Sequence, residues 1–183
     1  MFNGRQKSSG FTLIELLVVI AIIGLLSSIV LASVKSARTK ARDVRRKADL
    51  RQMQLALELY FDSNRNYPPE AGWCDSSKGV TTTNCPGYSG NSWPSGGALG
   101  VEQQGFMSKL PIDPFNNANY YYFYEPVCNQ TQFGVTCSGS GNCCAYLLGA
   151  ILESSSDPDA NPNCIYSSTS HNYCVSGGGA APQ

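Results

Sequence analysis

Residues 11–34 form an apolar run, FTLIELLVVIAIIGLLSSIVLASV, in which Glu15 is the single charged side chain. As a helix this run would extend about 36 Å at ~1.5 Å per residue. That length crosses a hydrocarbon core of about 30 Å. A secretory signal peptide has an apolar core of about 7–15 residues followed by a small-residue cleavage site; this run is longer, and basic residues follow it. A plain signal anchor accounts for the length but leaves Glu15 unexplained. A buried core helix fits neither the length nor the position. A carboxylate inside a membrane segment costs a few kcal/mol, so it marks a function and calls for a partner. Cleavage just before Phe11 would supply one, because the new α-amino group would lie four residues upstream of Glu15. An ammonium and a carboxylate on neighbouring subunits could then neutralise each other in a low-dielectric packing and set the axial register of stacked helices.

Residues 1–10, MFNGRQKSSG, are short and polar, with Arg5 and Lys7. The sequence Lys7-Ser-Ser-Gly10, then Phe11-Thr-Leu-Ile-Glu15 and the apolar run, resembles the leader and N-terminal segment of type IV pilins and type II secretion pseudopilins. The resemblance implies cleavage between Gly10 and Phe11 by a membrane-embedded prepilin peptidase, followed by N-methylation of Phe11. It also implies assembly by a separate ATPase and an inner-membrane platform protein. The short leader resembles the type IVa and pseudopilin branch. Gly24 and the Ser27-Ser28 pair lie inside the predicted helix. Glycine costs about 1 kcal/mol there relative to alanine; small residues favour close helix packing in membranes, and the resemblance adds a stretch that unwinds locally when the helix leaves the membrane.

No glycine or proline occurs from position 35 to 66, so the helix is predicted to continue to about Phe61, with residues 35–62 as an amphipathic extension. Val34, Ala37, Ala41, Val44 and Ala48 recur at three- and four-residue steps, and the stripe broadens at Leu50, Met53, Leu55, Leu57, Leu59 and Phe61. Pro68 disfavours a helical Tyr67 and closes the element. Lys35, Arg38, Lys40, Arg42, Arg45, Arg46, Lys47 and Arg51 face only Asp43 and Asp49 in this stretch. They read first as a solvated helix face. Attraction to anionic headgroups and contact with DNA in an uptake filament are the alternatives, and a nucleic-acid partner is not expected. The cluster opposes the topology that the leader implies, since basic flanks favour the cytoplasmic side. The cleavage motif and the cysteines outweigh that statistical rule.

Eight cysteines, Cys74, Cys85, Cys128, Cys137, Cys143, Cys144, Cys164 and Cys174, all fall in the second half of the chain. An even number behind an export-type N-terminus reads as disulfides in an oxidising compartment. Zinc is disfavoured: no C-x-x-C pair occurs and His171 is the only histidine. Eight cysteines allow 105 pairings. Proximity suggests Cys74–Cys85 and Cys164–Cys174, leaving Cys128 and Cys137 to pair with Cys143 and Cys144 in either order. The adjacent Cys143 and Cys144 are expected to take different partners.

Residues 63–183 are therefore expected to form a disulfide-rich head. Residues 70–110 are loop-like, and the prolines around Asp113 in Leu-Pro-Ile-Asp-Pro-Phe make a stiff bend. Strands are predicted at 120–124, 131–135, 144–152 and 172–176, with Gly149 marking a bulge. The fold class is α+β, a long N-terminal helix packed on a small antiparallel sheet with disulfide-stapled loops. Tyr67-Pro68 after the helix, and Leu110-Pro-Ile-Asp-Pro-Phe115 before a tyrosine strand, resemble the major pseudopilin of type II secretion over roughly residues 45–125.

Asp157, Asp159, Asn161 and Asn163 place oxygen ligands at alternate positions, as a calcium loop does, with Glu153 in reach. Major pseudopilins bind calcium in a late loop, so the resemblance implies a structural calcium. The two prolines and the missing glycine favour a proline-stiffened polar turn instead, and no cofactor is required. Asn129-Gln-Thr131 is a formal glycosylation sequon, of little weight in a bacterial protein.

The charged fraction of 14% is low against about 25% for soluble domains, and the net charge of zero points to no acidic partner. The expected function is a non-enzymatic, self-assembling filament subunit of a pilus or pseudopilus. It would be anchored in the inner membrane with its head outside the cytoplasm, then be extracellular or periplasmic. A membrane-anchored binding or adhesion domain and a competence pseudopilin are the alternatives. A hydrolase built on His171 lacks any supporting motif.

Overall fold

A computed structural model describes residues 10–69, 74–76, 100–102, 104–128, 131–132, 135–137, 143–161, 164–166 and 169–178. The leader up to residue 9, Trp73 and Trp93, Cys85 with its predicted bridge to Cys74, Asn129 of the sequon, and Asn163 lie outside the described residues. The chain divides into two compact units, Met1–Thr39 and Lys40–Gln183.

Helix α1 runs from Leu13 to Asn64. Gly24 is its only glycine and it has no proline, so nothing interrupts the backbone ladder. In the first unit its apolar side chains are exposed all round, from Leu13, Ile14 and Leu16 to Val30, Leu31 and Val34. A helix that is apolar on every side has no stable place in water. It is the one helix long and apolar enough to cross a membrane among the described residues. Ser28 and Ser33 return their hydroxyl protons to the carbonyls of Leu25 and Ile29, which satisfies both groups without water.

In the second unit α1 buries Asp43, Arg46, Leu50, Met53, Ala56, Leu57 and Tyr60, a run of three- and four-residue steps along one face. This is not the stripe predicted from Val34 to Ala48. Val44, Leu55 and Leu59 are exposed, because a charged pair, Asp43 and Arg46, occupies the buried face that valine and alanine were expected to fill. The helix also passes Phe61 and ends at Asn64. Arg65 takes a positive φ of 58° and donates its N–H to the carbonyl of Phe61 at 2.7 Å, a left-handed C-terminal cap.

The sheet contains β1 (Cys74–Asp75), β2 (Phe123–Cys128), β5 (Cys143–Ala150) and β8 (Tyr173–Gly177), in that order and all antiparallel. Two-residue ladders β3 (Thr131–Gln132) with β4 (Val135–Thr136), and β6 (Ile165–Tyr166) with β7 (Thr169–Ser170), form small hairpins. The predicted single strand at 131–135 is thus folded back on itself. The tyrosine strand begins later than predicted: Tyr120 bridges Asn117, and the ladder starts at Phe123.

Alternation along the strands separates two cores. Tyr122, Tyr124, Tyr146, Leu148, Ala150 and Tyr173 pack with Leu50, Met53 and Leu57 of α1. Tyr121, Phe123, Val127, Ala145 and Leu147 form the other cluster. Each fully buried leucine or methionine contributes about 1.5–3 kcal/mol. The phenols of Tyr67 and Tyr146 both donate to the Glu58 carboxylate at 3.0 Å, and Tyr122 donates to Asp49 at 2.8 Å. Burial pushes the pKa of all three phenols well above that of free tyrosine, so they remain donors.

Gly149 is not a bulge. The register runs evenly through it, opposite Phe123, and the irregularity falls between Val127 and Cys128. A Cβ at Gly149 would overlap the Phe123 ring, so the glycine is there to admit an aromatic side chain. Among the described residues, disulfides join Cys128 to Cys143, Cys137 to Cys144, and Cys164 to Cys174. Adjacent Cys143 and Cys144 do take different partners, as the alternating sides of a strand require.

Candidate functional site

The N-terminal site is built by Gly10, Phe11, Thr12 and Glu15. Thr12 lies one residue before α1 and Glu15 in its first turn. The Thr12 N–H and hydroxyl donate to Glu15 Oε2 at 2.9 and 2.7 Å. The Glu15 N–H donates back to Thr12 Oγ1 at 3.3 Å. This is a reciprocal capping box, which satisfies N–H groups that the helix start leaves without internal acceptors. Sequence reading found Glu15 but missed the box, although Thr-x-x-Glu before an apolar run is its signature.

Phe11 is exposed, and a Cβ added to Gly10 would meet nothing. Neither its surroundings nor its backbone angles require glycine at position 10. The same holds at Gly24, where an added Cβ finds open space.

A second constellation lies within the other unit, where α1 meets the late turn of the head. Arg46 has no exposed side-chain surface. Its Nε and Nη2 donate to the two oxygens of Asp113 at 2.6 and 3.2 Å. Its Nη1 donates to Asp43 Oδ1 at 2.8 Å and to Glu153 Oε1 at 2.7 Å. Arg42 grips Glu153 with a forked pair at 2.7 and 2.6 Å. The Arg42 and Arg46 guanidinium carbons lie 4.7 and 5.8 Å from the Phe115 ring centre, and Arg46 lies 4.9 Å from that of Tyr120, close enough for cation–π attraction.

The acids are fixed in turn by backbone. Asp43 accepts from the N–H groups of Glu153 and Ser154 at 2.9 and 3.0 Å. Asp113 accepts from those of Phe115 and Asn116, so the proline-framed aspartate is an anchor for Arg46 as well as a bend. The Arg42 guanidinium, bonded to Glu153, lowers that carboxyl from 4.5 to about 2. Burial pulls the Arg46 pKa down, but hydrogen bonds to Asp113 and Glu153 outweigh it and hold the guanidinium charged.

The basic run is therefore only partly a solvated face. Arg45 remains mostly exposed, whereas Arg42, Arg46 and Lys47 bind acids of the head. Charge counting along the sequence could not separate these two groups. The clue was Arg46 standing in step with Leu50, Met53 and Leu57.

The predicted calcium positions lie beside this network. Lys47 Nζ donates to Asp157 Oδ1 and Oδ2 at 2.8 and 3.0 Å and to Asp159 Oδ2 at 2.8 Å. The hydrogen bond from Lys47 lowers the Asp157 carboxyl, aided by the Asp159 N–H, and bonding to Asp157 raises the Lys47 pKa. Asn161 donates its N–H to the carbonyl of Asn172 at 2.7 Å. Calcium takes six to eight oxygens at about 2.3–2.6 Å. Here an ammonium stands between the two aspartates, and both Glu153 oxygens are bound to arginines. As arranged, the donor set does not fit calcium, and the described residues contain no cluster of three or more His, Cys, Asp or Glu suited to a metal. His171 is buried, its ring 4.2 Å from Phe123 and 5.2 Å from Tyr121, a core position rather than a reactive one.

Residues 5–31 match the family model described as the prokaryotic N-terminal methylation motif. The type II secretion system core protein G of Pseudomonas aeruginosa is 32% identical over 117 residues, 64% of this chain and 75% of that protein. The protein of the same name from Escherichia coli is 31% identical over 63% of this chain and 72% of its own. That from Vibrio cholerae is 28% identical over 64% and 71%. No solved structure matches the chain. With the methylation motif at the head of an exposed apolar helix, and three quarters of a relative's length matched, the chain belongs to the type II secretion system core protein G family, the major pseudopilins.

Proposed function

We propose that this chain is a structural subunit of a secretion pseudopilus, polymerising through residues 11–34 after cleavage between Gly10 and Phe11 and N-methylation of Phe11. The observation that carries this reading is the exposed apolar half of α1 with Glu15 as its only charge. A surface of that kind needs either lipid or other copies of itself. The precursor would sit in the inner membrane through this helix with its head outside the cytoplasm, and the mature subunit would form a periplasmic filament. The subunit's role is mechanical, with no catalysis. Its partners would be other copies of itself, the prepilin peptidase, an assembly ATPase and the platform protein.

The capping box gives Glu15 a role before cleavage. It holds the carboxylate over the first turn of the helix, one turn from the bond to be cut. Cleavage then frees an ammonium at Phe11, and a neighbouring subunit's ammonium can take over the carboxylate. Because nothing among the described residues requires glycine at position 10, the requirement would reside in the peptidase. Likewise Gly24 would serve contacts between helices or local unwinding.

Mass spectrometry of the mature subunit tests the processing: the expected N-terminus is methylated Phe11, and Gly10→Val should accumulate uncut precursor. Glu15→Val should be processed yet fail to form filaments seen by electron microscopy. Normal filaments from Glu15→Val would overturn the assembly mechanism.

A further inference from the structure

We propose that Lys47 takes the place of a divalent cation, so that the late acidic turn of this head is closed on α1 by a resident ammonium and holds its shape without calcium. The inference concerns the head alone and does not depend on filament formation.

The turn offers Asp157 and Asp159 two residues apart. The Asp159 N–H folds back on Asp157 Oδ1 at 2.9 Å, and the Ala160 N–H reaches the Asp157 carbonyl at 3.0 Å. That geometry gathers two carboxylates at one point. Two like charges so close need a cation between them. Lys47 supplies it, with three N–O distances of 2.8–3.0 Å to the pair. Its side chain is 15% exposed, so the ammonium is held among its partners. The remaining acid within reach, Glu153, is held by Arg42 and Arg46.

An ammonium and a metal ion cannot share this position, because calcium would need the same oxygens and would be repelled by the fixed charge. One positive charge also leaves the two aspartates with one negative charge unbalanced. Removing Lys47 would leave a pair of carboxylates whose charge a divalent ion would balance fully. Deleting the lysine should therefore create a calcium response that the natural subunit lacks.

The test uses the full-length chain in detergent, with thermal midpoints read by near-ultraviolet circular dichroism in calcium chloride or in EDTA. About 5 mM calcium saturates even weak extracellular-type sites. The natural chain should melt within about 1 °C in the two conditions, and Lys47→Arg should behave likewise. Lys47→Met should melt several degrees lower in EDTA and recover at least about half of that loss in calcium. A calcium-induced rise of more than about 3 °C in the natural chain would overturn the proposal. So would a Lys47→Met chain that calcium leaves unchanged, or one that stays unfolded in both conditions. Equilibrium dialysis with radioactive calcium gives a second readout: no binding to the natural chain is expected, and saturable binding to it would contradict the proposal.

Discussion

Replacing Arg46 by methionine removes the cation at the centre of the buried network while keeping an unbranched stem of similar volume. Four hydrogen bonds disappear: two to Asp113, one to Asp43 and one to Glu153. The consequences differ among the acids. Glu153 keeps Arg42, and Asp43 keeps the N–H groups of residues 153 and 154. Asp113 keeps only the Phe115 and Asn116 N–H groups, with its side chain fully buried. Its isolated carboxylate should dominate the loss. Breaking a buried pair from one side costs about 3–5 kcal/mol. At roughly 2–4 °C per kcal/mol for a chain of this size, the melting midpoint should fall by about 6–20 °C. Asp113→Asn alone should also destabilise, since it strands the guanidinium instead. The double variant Arg46→Met with Asp113→Asn should be less destabilised than the sum of the two by at least about 1 kcal/mol. The assay is a double-mutant cycle by chemical denaturation of the full-length chain in detergent under non-reducing conditions. Additivity within about 0.5 kcal/mol would refute the claim that these residues act as one unit.

Acid should loosen the same junction. The Glu153 carboxyl is lowered in the folded chain from 4.5 to about 2, so its stabilisation is complete above about pH 4.5 and is lost as the pH falls toward 2. Discounted for the partial exposure of Arg42, the loss should be about 1–2 kcal/mol. Glu153→Gln should flatten the acid limb of a stability–pH curve, and an unchanged limb would count against the assignment. Gly149→Ala should cost about 1–3 kcal/mol through its collision with the Phe123 ring, and shortening the ring in Phe123→Leu should relieve part of it in the same unfolding assay. Tyr146→Phe deletes one of two donors to Glu58 and should cost about 1 kcal/mol in denaturant unfolding. Peptide mapping without reduction should recover 128–143, 137–144 and 164–174 as linked pairs.

Local chemistry with a strong signature was legible in the sequence. The apolar run, Gly10-Phe11 and Glu15 identified the N-terminal segment, because few other chains place a lone carboxylate there. The α+β class, the long helix and the alternate partners of Cys143 and Cys144 followed from uninterrupted periodicity and strand geometry. What escaped were relations between distant residues. No local pattern connects Arg46 to Asp113, and a charge within a basic run is treated as solvated unless its helical phase is compared with the apolar stripe. Gly149 was taken for a bulge because the Phe123 ring facing it is far away in sequence. Thr131–Gln132 and Val135–Thr136 were read as one strand, because two-residue ladders carry too little alternation to be told from a continuous run.

The wiring of Cys143 and Cys144 has a consequence for how the sheet is built. Cys128 sits opposite Cys143 in the ladder between β2 and β5, while Cys137 reaches Cys144 from the end of the β3–β4 hairpin. The regular register, with Val127 opposite Ala145, would bring Cys144 opposite Cys128; the irregularity between Val127 and Cys128 sets Cys143 there instead. A bulge leaves one residue of a strand without a partner across the ladder, and here that residue is Cys144, which is bonded to Cys137. Exchanging the two partners would therefore flatten the bulge while leaving Tyr146 and Leu148 facing α1. The choice between two adjacent thiols thus fixes the bend at one end of the sheet, and the hydrophobic pattern alone fixes the alignment of the rest.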